Sequence, residues 1–280
     1  MSRFSMLQES MQSPSLPSSN STFAPPSSRV KPLQQSTLSL RTPHRLFVPE
    51  KYEPSYDYPL VVWLHSQDSS EYELDGVMSA LSVRNYIGIA PRANLECVYN
   101  DCRFQWGLND QGCDTAAQRV WDCVQAATRG LSVNPQKIFL AGFGTGGTIA
   151  QWIGLKYARQ IAGVVSLSGV FPTSSCALSN WKKARQLKVM FAQLQGSTLC
   201  TDEELVQAVR IAHHSGLDYQ FLQCRPDDDI ELSTPYDPDS LDRSMLDAAN
   251  RFLMGIVTET QISLAPESTC DSERIEFGFN

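Results

Sequence analysis

The sequence lacks several features that would assign it to common classes of protein. No apolar run approaches the ~18 residues of a membrane-spanning helix, so we expect no membrane span. The first ten residues, MSRFSMLQES, lack the apolar region of a signal peptide, which predicts a cytoplasmic protein. The net charge is −7, and an acidic balance argues against nucleic acid as a partner.

The chain also lacks the residue spacing of a metal site. Histidine occurs only four times, and none of the eight cysteines belongs to a C-x-x-C pair. Zinc sites are built from such clusters, so we expect no metal and no cofactor. Most of the cysteines should remain thiols in a reducing compartment; Cys97 and Cys102 would pair only in an oxidising one.

Composition divides the chain into three parts. Residues 1–36 hold eleven serines and five prolines, and we predict a disordered Ser/Pro-rich tail because such a segment buries too little apolar surface to fold. Residues 37–256 are long enough for one substantial core and are predicted to form a single domain. Residues 257–280 are predicted to be an acidic C-terminal tail.

Short apolar runs alternate with helical patterns across the predicted domain. The apolar runs are bounded by turn residues, as is typical of buried parallel strands. They span residues 59–65, 86–91, 137–142, 162–169, 187–193 and 218–223. Apolar residues recur at helical spacing in 114–129 (behind Asp114 as N-cap), 147–160, 202–215 and 239–255. This alternation predicts an α/β domain with a doubly wound, mostly parallel sheet and helices on both faces.

The segment IFLAGFGTGG, residues 138–147, joins a predicted strand to a helix through a glycine-rich turn. Its G-x-G-x-x-G spacing fits a dinucleotide-binding turn, and its G-F-G-T-G core fits the G-x-S-x-G nucleophile elbow of a serine hydrolase. A dinucleotide fold needs an acidic residue about 20 positions further on to bind the ribose. No Asp or Glu occurs from Cys123 to Thr201, so the dinucleotide interpretation is disfavoured.

Three blocks of the sequence resemble the α/β-hydrolase superfamily. They are PLVVWLHSQDSSEYEL from residue 59, YIGIAPRA from residue 86, and NPQKIFLAGFGTGGTIAQWIGLKYARQIAGVVSLSGVFP from residue 134. The last block resembles the elbow, helix and G-V-V-x-L-S-G strand of the phospholipase/carboxylesterase family, which includes acyl-protein thioesterases and dienelactone-hydrolase-like esterases. The resemblance implies an α/β-hydrolase fold over about residues 45–255.

The resemblance also shows which catalytic residues are missing. Esterases of this fold place Ser, an acid and His in that chain order. The nucleophile position is Gly144, the acid position in the loop after 187–193 is Leu199, and the histidine position is Asp228. Asp202 lies just beyond the acid loop, but Thr201-Asp202-Glu203-Glu204 is better interpreted as a capping box. The last histidine, His214, precedes the final predicted strand, so a small shift in alignment recovers none.

The remaining parts of the elbow are intact in the sequence. Gly142, Gly146 and Gly147 form the turn, and the resemblance implies that the backbone amides of Gln67 and Thr145 form an anion-binding oxyanion hole. We therefore expect a degenerate hydrolase that binds a small acyl or carboxylate ligand or a protein partner. An ester hydrolase using Thr145 with Asp202 or Asp228, and an interaction module acting through the Ser/Pro tail, remain alternatives. The oligomeric state stays open.

The acid-free stretch, residues 123–201, carries eight Lys or Arg residues, so the remainder of the chain has a net charge of −15. Its segment NWKKARQLK, residues 180–188, is either a solvated helix or an attractor for an acidic partner or anionic ligand.

Overall fold

The computed structural model describes residues 42–97, 100–174, 182–225 and 237–264. The predicted tail 1–36 lies outside these residues. The last helix, Arg243–Leu264, continues through the predicted domain boundary at residue 256. Apolar side chains of that helix, Val257 among them, are buried against the sheet and keep it in the domain.

A mostly parallel sheet forms the centre of the described domain. Seven strands pair in the order β1-β3-β2-β6-β7-β8-β9, and every pair is parallel except β1 with β3. A separate antiparallel hairpin, β4 with β5, follows β3. The strands are β1 His44–Phe47, β2 Tyr58–Leu64, β3 Ile87–Pro91, β4 Leu95–Cys97, β5 Asn100–Gln105, β6 Val133–Phe143, β7 Gly163–Leu167, β8 Lys188–Leu194 and β9 Asp218–Cys224.

Helices cover both faces of this sheet, as the sequence predicts. They are α1 Glu73–Leu81, α2 Asp110–Gly130, α3 Thr145–Lys156, α4 Asp202–Ser215 and α5 Arg243–Leu264. Every residue of β2 is buried, and its side chains alternate between two apolar clusters. Leu60, Val62 and Leu64 pack in the cluster that contains α2 and α3. Val61 and Trp63 pack in the cluster that contains α1 and α5. The doubly wound α/β architecture is therefore confirmed.

Helix boundaries differ from the sequence expectation mainly at their first turns. The prediction that Asp114 caps α2 is wrong: Asn109 is the N-cap, and its side chain accepts a hydrogen bond from the Gly112 amide at 2.7 Å. Asp114 instead forms an ion pair with Lys156 of α3. Helix α3 begins at Thr145, two residues before its predicted start, and ends at Lys156 rather than at 160. Among the described residues, no helix is long and apolar enough to cross a membrane.

The first turn of α3 lies directly against the end of β2. A Cβ added to Gly146 would lie 2.0 Å from the carbonyl oxygen of Leu64 and 2.5 Å from that of His65. Real Cβ atoms do not approach backbone oxygens so closely, so only glycine permits this contact. The contact fixes where the elbow stands relative to the neighbouring strand.

We predict that Gly146→Ala destabilises the fold by about 3 kcal/mol, because the backbone of β2 cannot yield as a flexible side chain would. Gly76→Ala is the matched control, since Gly76 also lies in a helix and its added Cβ meets nothing within 4 Å. Better helix propensity should make that variant about 0.5–1 kcal/mol more stable. Urea unfolding curves of the two variants and the parent chain measure both changes; equal effects would contradict the contact.

Candidate functional site at the glycine elbow

The turn at Gly144 has the backbone geometry of a nucleophile elbow. Gly144 joins β6 to α3 with φ 54° and ψ −121°, a conformation that strains any residue with a side chain. Its amide donates to the Leu167 carbonyl at 2.8 Å, and its carbonyl accepts from the Thr148 amide at 3.1 Å. A Cβ built on Gly144 meets nothing within 4 Å, so a side chain here would project into open space. The backbone at Gly144 would thus expose a side chain, and glycine has none.

The other glycines of the turn allow close packing. An added Cβ on Gly142 would lie 2.5 Å from the backbone carbon of Gly146, and one on Gly147 would lie 2.8 Å from the Ser166 hydroxyl. Strand, turn and helix are thus in contact without intervening side chains. The spacing that suggested a phosphate-binding turn is accounted for by this packing.

His65 directly follows β2, and its backbone carbonyl lies against Gly146 of the elbow. Both nitrogens of its ring already have hydrogen-bond partners. Nδ1 lies 2.8 Å from the Ser66 carbonyl oxygen, so Nδ1 carries the proton and donates. Nε2 then accepts from the Ala93 amide at 3.1 Å. Burial lowers the pKa of His65 and favours the neutral ring. A ring held this way orients the loop and has no nitrogen left for a substrate proton.

The other three histidines lie on elements away from the turn. His44 is on the edge strand β1, with Nδ1 at 3.0 Å from the Thr42 carbonyl oxygen. His213 and His214 occupy the last turn of α4, where His214 Nδ1 donates to the Arg210 carbonyl at 2.7 Å. All four histidines of the chain are described, and no hydrogen bond or ion pair joins any of them to a described carboxylate.

The loop at the acid position contains no acid of its own, but a distant one reaches it. Leu199 is exposed, and Asp239 accepts hydrogen bonds there from the Ser197 hydroxyl at 2.9 Å and the Thr198 amide at 2.6 Å. The Thr198 hydroxyl donates to the second oxygen at 2.5 Å. Burial alone would raise the pKa of Asp239, but these hydrogen bonds outweigh it and hold the pKa below its ordinary value. Both oxygens of Asp239 are thus used to fix the loop.

Asp202, the alternative acid, lies in the exposed first turn of α4. The predicted capping box is confirmed: the Thr201 hydroxyl accepts from the Glu204 amide at 3.3 Å, and Glu204 accepts from the Thr201 amide at 2.9 Å. Asp228, at the histidine position, lies outside the described residues. Sequence reasoning missed Asp239, because nothing near it in the sequence connects it with a loop some forty residues earlier.

The loop after β2 that carries Gln67 is held by a partly buried hydrogen-bond cluster. Glu73 accepts from the Trp63 indole at 2.9 Å and from the Ser66 hydroxyl at 2.8 Å and amide at 3.2 Å. The Trp106 indole donates to the His65 carbonyl at 2.9 Å. Gln67 itself is exposed. The loop is therefore preorganised, while the pairing of the Gln67 and Thr145 amides in one anion site stays a prediction.

A partly buried ion pair supports the same loop from the side of β3. Arg92 Nε lies 3.0 Å from one oxygen of Glu71, and Arg92 Nη2 lies 2.5 Å from the other. The guanidinium also lies 4.4 Å from the ring centre of Phe104 on the hairpin. Burial alone would raise the pKa of the Glu71 carboxyl, but the Arg92 hydrogen bonds outweigh burial and keep that pKa below its ordinary value. Glu71 is thus a structural anion of this loop.

Several buried polar atoms near the strand ends have no hydrogen-bond partner within the described residues. They are Asn94 Oδ1 after β3, Thr145 Oγ1 after β6, Ser168 Oγ after β7 and Gln193 Oε1 near the end of β8. Ser168 also has a positive φ of 52°, which is rare outside glycine. Ligands of open α/β sheets bind at the carboxyl ends of the strands. Unused polar groups at this edge therefore favour a ligand site. No three His, Cys, Asp or Glu side chains of the described part gather as metal ligands.

Comparison with known proteins agrees with this geometry. The family model described as Phospholipase/Carboxylesterase matches residues 103–209, a range that includes Gly144 and Leu199 and stops before Asp228. No curated protein matches the chain by sequence.

Solved structures of esterases share the fold at low sequence identity. Esterase PE8 is 17% identical, with a TM-score of 0.59, over 77% of this chain and 99% of that chain. The phospholipase/carboxylesterase from Dyadobacter fermentans is 16% identical, with a TM-score of 0.57, over 76% and 96%. SOBER1 from Arabidopsis thaliana is 15% identical, with a TM-score of 0.58, over 71% and 99%. The chain thus has the α/β-hydrolase fold, and over residues 103–209 it carries the sequence pattern of the phospholipase/carboxylesterase family.

Proposed function

We propose that this α/β-hydrolase-fold protein binds a small carboxylate or acyl ligand at the glycine elbow and does not hydrolyse esters. One observation carries the proposal: the elbow keeps its strained, outward-facing geometry at Gly144 while the apex has no side chain. Acyl transfer needs a nucleophile, a base that accepts its proton and an acid that orients the base. The first is absent, and no histidine of the chain has a nitrogen placed to act as the second.

Thr145 is a poor substitute nucleophile. It follows the apex and begins α3, and its hydroxyl oxygen is buried without a hydrogen-bond partner among the described residues. A hydroxyl attacks only when a base removes its proton, and the nearby His65 has both nitrogens engaged. Asp202, which would have to assist, is the exposed first residue of α4 and follows the N-cap Thr201.

Binding of an anion needs none of the missing groups. The first amides of a helix have no intrahelical acceptor, and the helix dipole places partial positive charge at the same end. At α3 this end faces the open space left by Gly144. The unpartnered hydroxyls of Thr145 and Ser168 supply further polar groups at this edge. A carboxylate is the anionic group that a former acyl site suits best.

An ester hydrolase with an unconventional site is the second candidate, favoured by the family match and by the similar structures that are esterases. A protein partner bound through residues 1–36 is a further alternative to a small ligand.

The cytoplasm is the compartment that fits the proposal. The six cysteines in the described part of the chain, Cys97 and Cys102 among them, are thiols.

We predict that Gly144→Ser gives no esterase activity and costs about 1–3 kcal/mol of stability, because serine must adopt a positive φ. Gly144→Ala is the matched control, with the same backbone strain and no hydroxyl, and should lose a similar amount. Thermal unfolding measures stability; short-chain p-nitrophenyl esters and a fluorophosphonate probe measure activity. Turnover by the parent chain would establish the hydrolase candidate instead; turnover by the serine variant alone would contradict the absence of a catalytic base.

Carboxylate binding is predicted to depend on the Thr145 amide. Thr145→Pro removes that donor at the first helical position, where proline is well tolerated, and should weaken octanoate binding by about tenfold. Thr145→Val keeps the amide and should weaken binding much less. Titration calorimetry with butyrate and octanoate, and with butyramide as the uncharged control, measures the affinities. Equal effects of the two variants, or equal binding of butyramide, would contradict an amide-based carboxylate site.

A further inference from the structure

A cavity lies at the opposite edge of the sheet from the elbow, near the amino end of β6. It has a volume of about 550 Å³ and lies between the early part of β6, the turn after α3, the segment before β8 and helix α5. Six residues of β6, 138–143, lie between Lys137 and Gly144, which corresponds to roughly 23 Å along a strand. Its polar lining side chains are Gln136, Lys137, Arg159, Lys183 and Gln186.

Lys137 is the unusual member of this lining, because it is a buried cation without an acidic partner. The residue is 6% exposed, and its ammonium donates to the Val257 carbonyl of α5 at 3.0 Å. No carboxylate of the described residues lies within ion-pair distance of it. By contrast, Lys156 pairs with Asp114, and Lys188 pairs with Glu259. The ammonium of Lys137 has three N–H donors, and one neutral carbonyl accepts a hydrogen bond from it.

Burying an ammonium without a counter-charge is costly, on the order of several kcal/mol for a fully buried ion. None of the described lining residues is acidic, so none of them offsets this cost. Lys137, Arg159 and Lys183 all come from the acid-free stretch, residues 123–201. Three cations thus converge on one concave surface of a chain whose net charge is −7. An anionic ligand would supply a counter-charge for Lys137.

We propose that this cavity binds a small molecule that carries a phosphate or diphosphate group. Three lining cations match a group with two or more negative charges better than a single carboxylate. The Arg159 guanidinium offers the planar pair of donors that phosphate oxygens accept, and the two glutamine amides add neutral donors. The volume is within the range of small-molecule sites and leaves room for an organic group beside the phosphates.

Titration calorimetry with inorganic pyrophosphate at constant, low ionic strength tests the proposal on the full chain. We expect saturable one-to-one binding that Arg159→Gln and Lys137→Met each weaken by about tenfold or more. Arg129→Gln is the matched control: it removes one positive charge from the same acid-free stretch but lies outside the cavity. Arg129→Gln should change the affinity less than twofold. Equal weakening by all three variants would reduce the effect to net charge and overturn the site.

The stability of the unliganded variants separates a ligand site from a purely structural lysine. If Lys137 is kept for an anion, Lys137→Met should leave the melting temperature unchanged or raise it, because methionine buries the same stem without the charge. A lower melting temperature together with no pyrophosphate binding by the parent chain would show that Lys137 only fastens α5. The exposed Arg159→Gln variant does not depend on this outcome and reports binding alone.

The chain's own acidic residues after α5 are a second source of negative charge. Glu267, Asp271, Glu273 and Glu276 follow Leu264 in the sequence. A variant with all four changed to Gln or Asn should bind pyrophosphate as the parent does. A clearly tighter affinity would identify this segment as the occupant of the cavity and overturn the proposal. The Thr145→Pro variant should leave pyrophosphate binding intact, so this site and the elbow fail or hold separately.

Discussion

The contact of the first turn of α3 with the end of β2 is the constraint on which the site depends. Gly146 has no room for a Cβ against the Leu64 carbonyl, and Gly142 has none against Gly146. With those two backbones in contact, the chain must turn sharply between β6 and α3, and Gly144 absorbs the turn at a positive φ. The elbow therefore follows from packing between a helix and a strand. It persists whether or not its apex residue can react.

The polar side chains of the loops around the elbow also serve the fold and not a reaction. Glu73, Glu71 and Asp239 are carboxylates of the loops that follow β2 and β8 or contact them, and each already accepts hydrogen bonds that hold a loop. His65 is likewise bound on both sides. Hydrogen-bonded groups of this kind shape a site without exchanging protons with a ligand. Rigid loops and an elbow apex without a side chain are thus compatible features of one structure, and an anion-binding site needs only the former.

The sequence predicts those features whose cause is local. Helix α4 occupies residues 202–215 as expected, because its capping box and its Gly216 stop lie within one short segment. The buried strands follow from their apolar runs and flanking turns. The start of α2 was misplaced because two candidate caps, Asn109 and Asp114, lie a few residues apart and only the geometry chooses between them.

The sequence does not predict features that depend on residues far apart in the chain. The β4–β5 hairpin and the short helix α1 have weak local patterns and are held by contacts such as Arg92 with Phe104 and Trp63 with Glu73. Asp239 reaches the acid loop from some forty residues further along the chain. The uncompensated burial of Lys137 was equally invisible, since the sequence shows its charge and not its surroundings. Only the three-dimensional arrangement brings these partners together.

The distribution of charge connects the two ends of the sheet. Residues 123–201 contain no acid, so the Lys and Arg residues of that stretch have no acidic neighbour within it. Lys156 and Lys188 acquire carboxylate partners from α2 and α5, at Asp114 and Glu259. Lys137, deeper than either, acquires none among the described residues. A desolvated cation interacts more strongly with an anion than an exposed cation does. The cavity that Lys137 lines therefore has a stronger electrostatic basis for holding a polyanion than the elbow has for holding a single carboxylate. The elbow depends on backbone dipoles, whereas the cavity depends on full charges, so added salt should separate the two sites by weakening the second more.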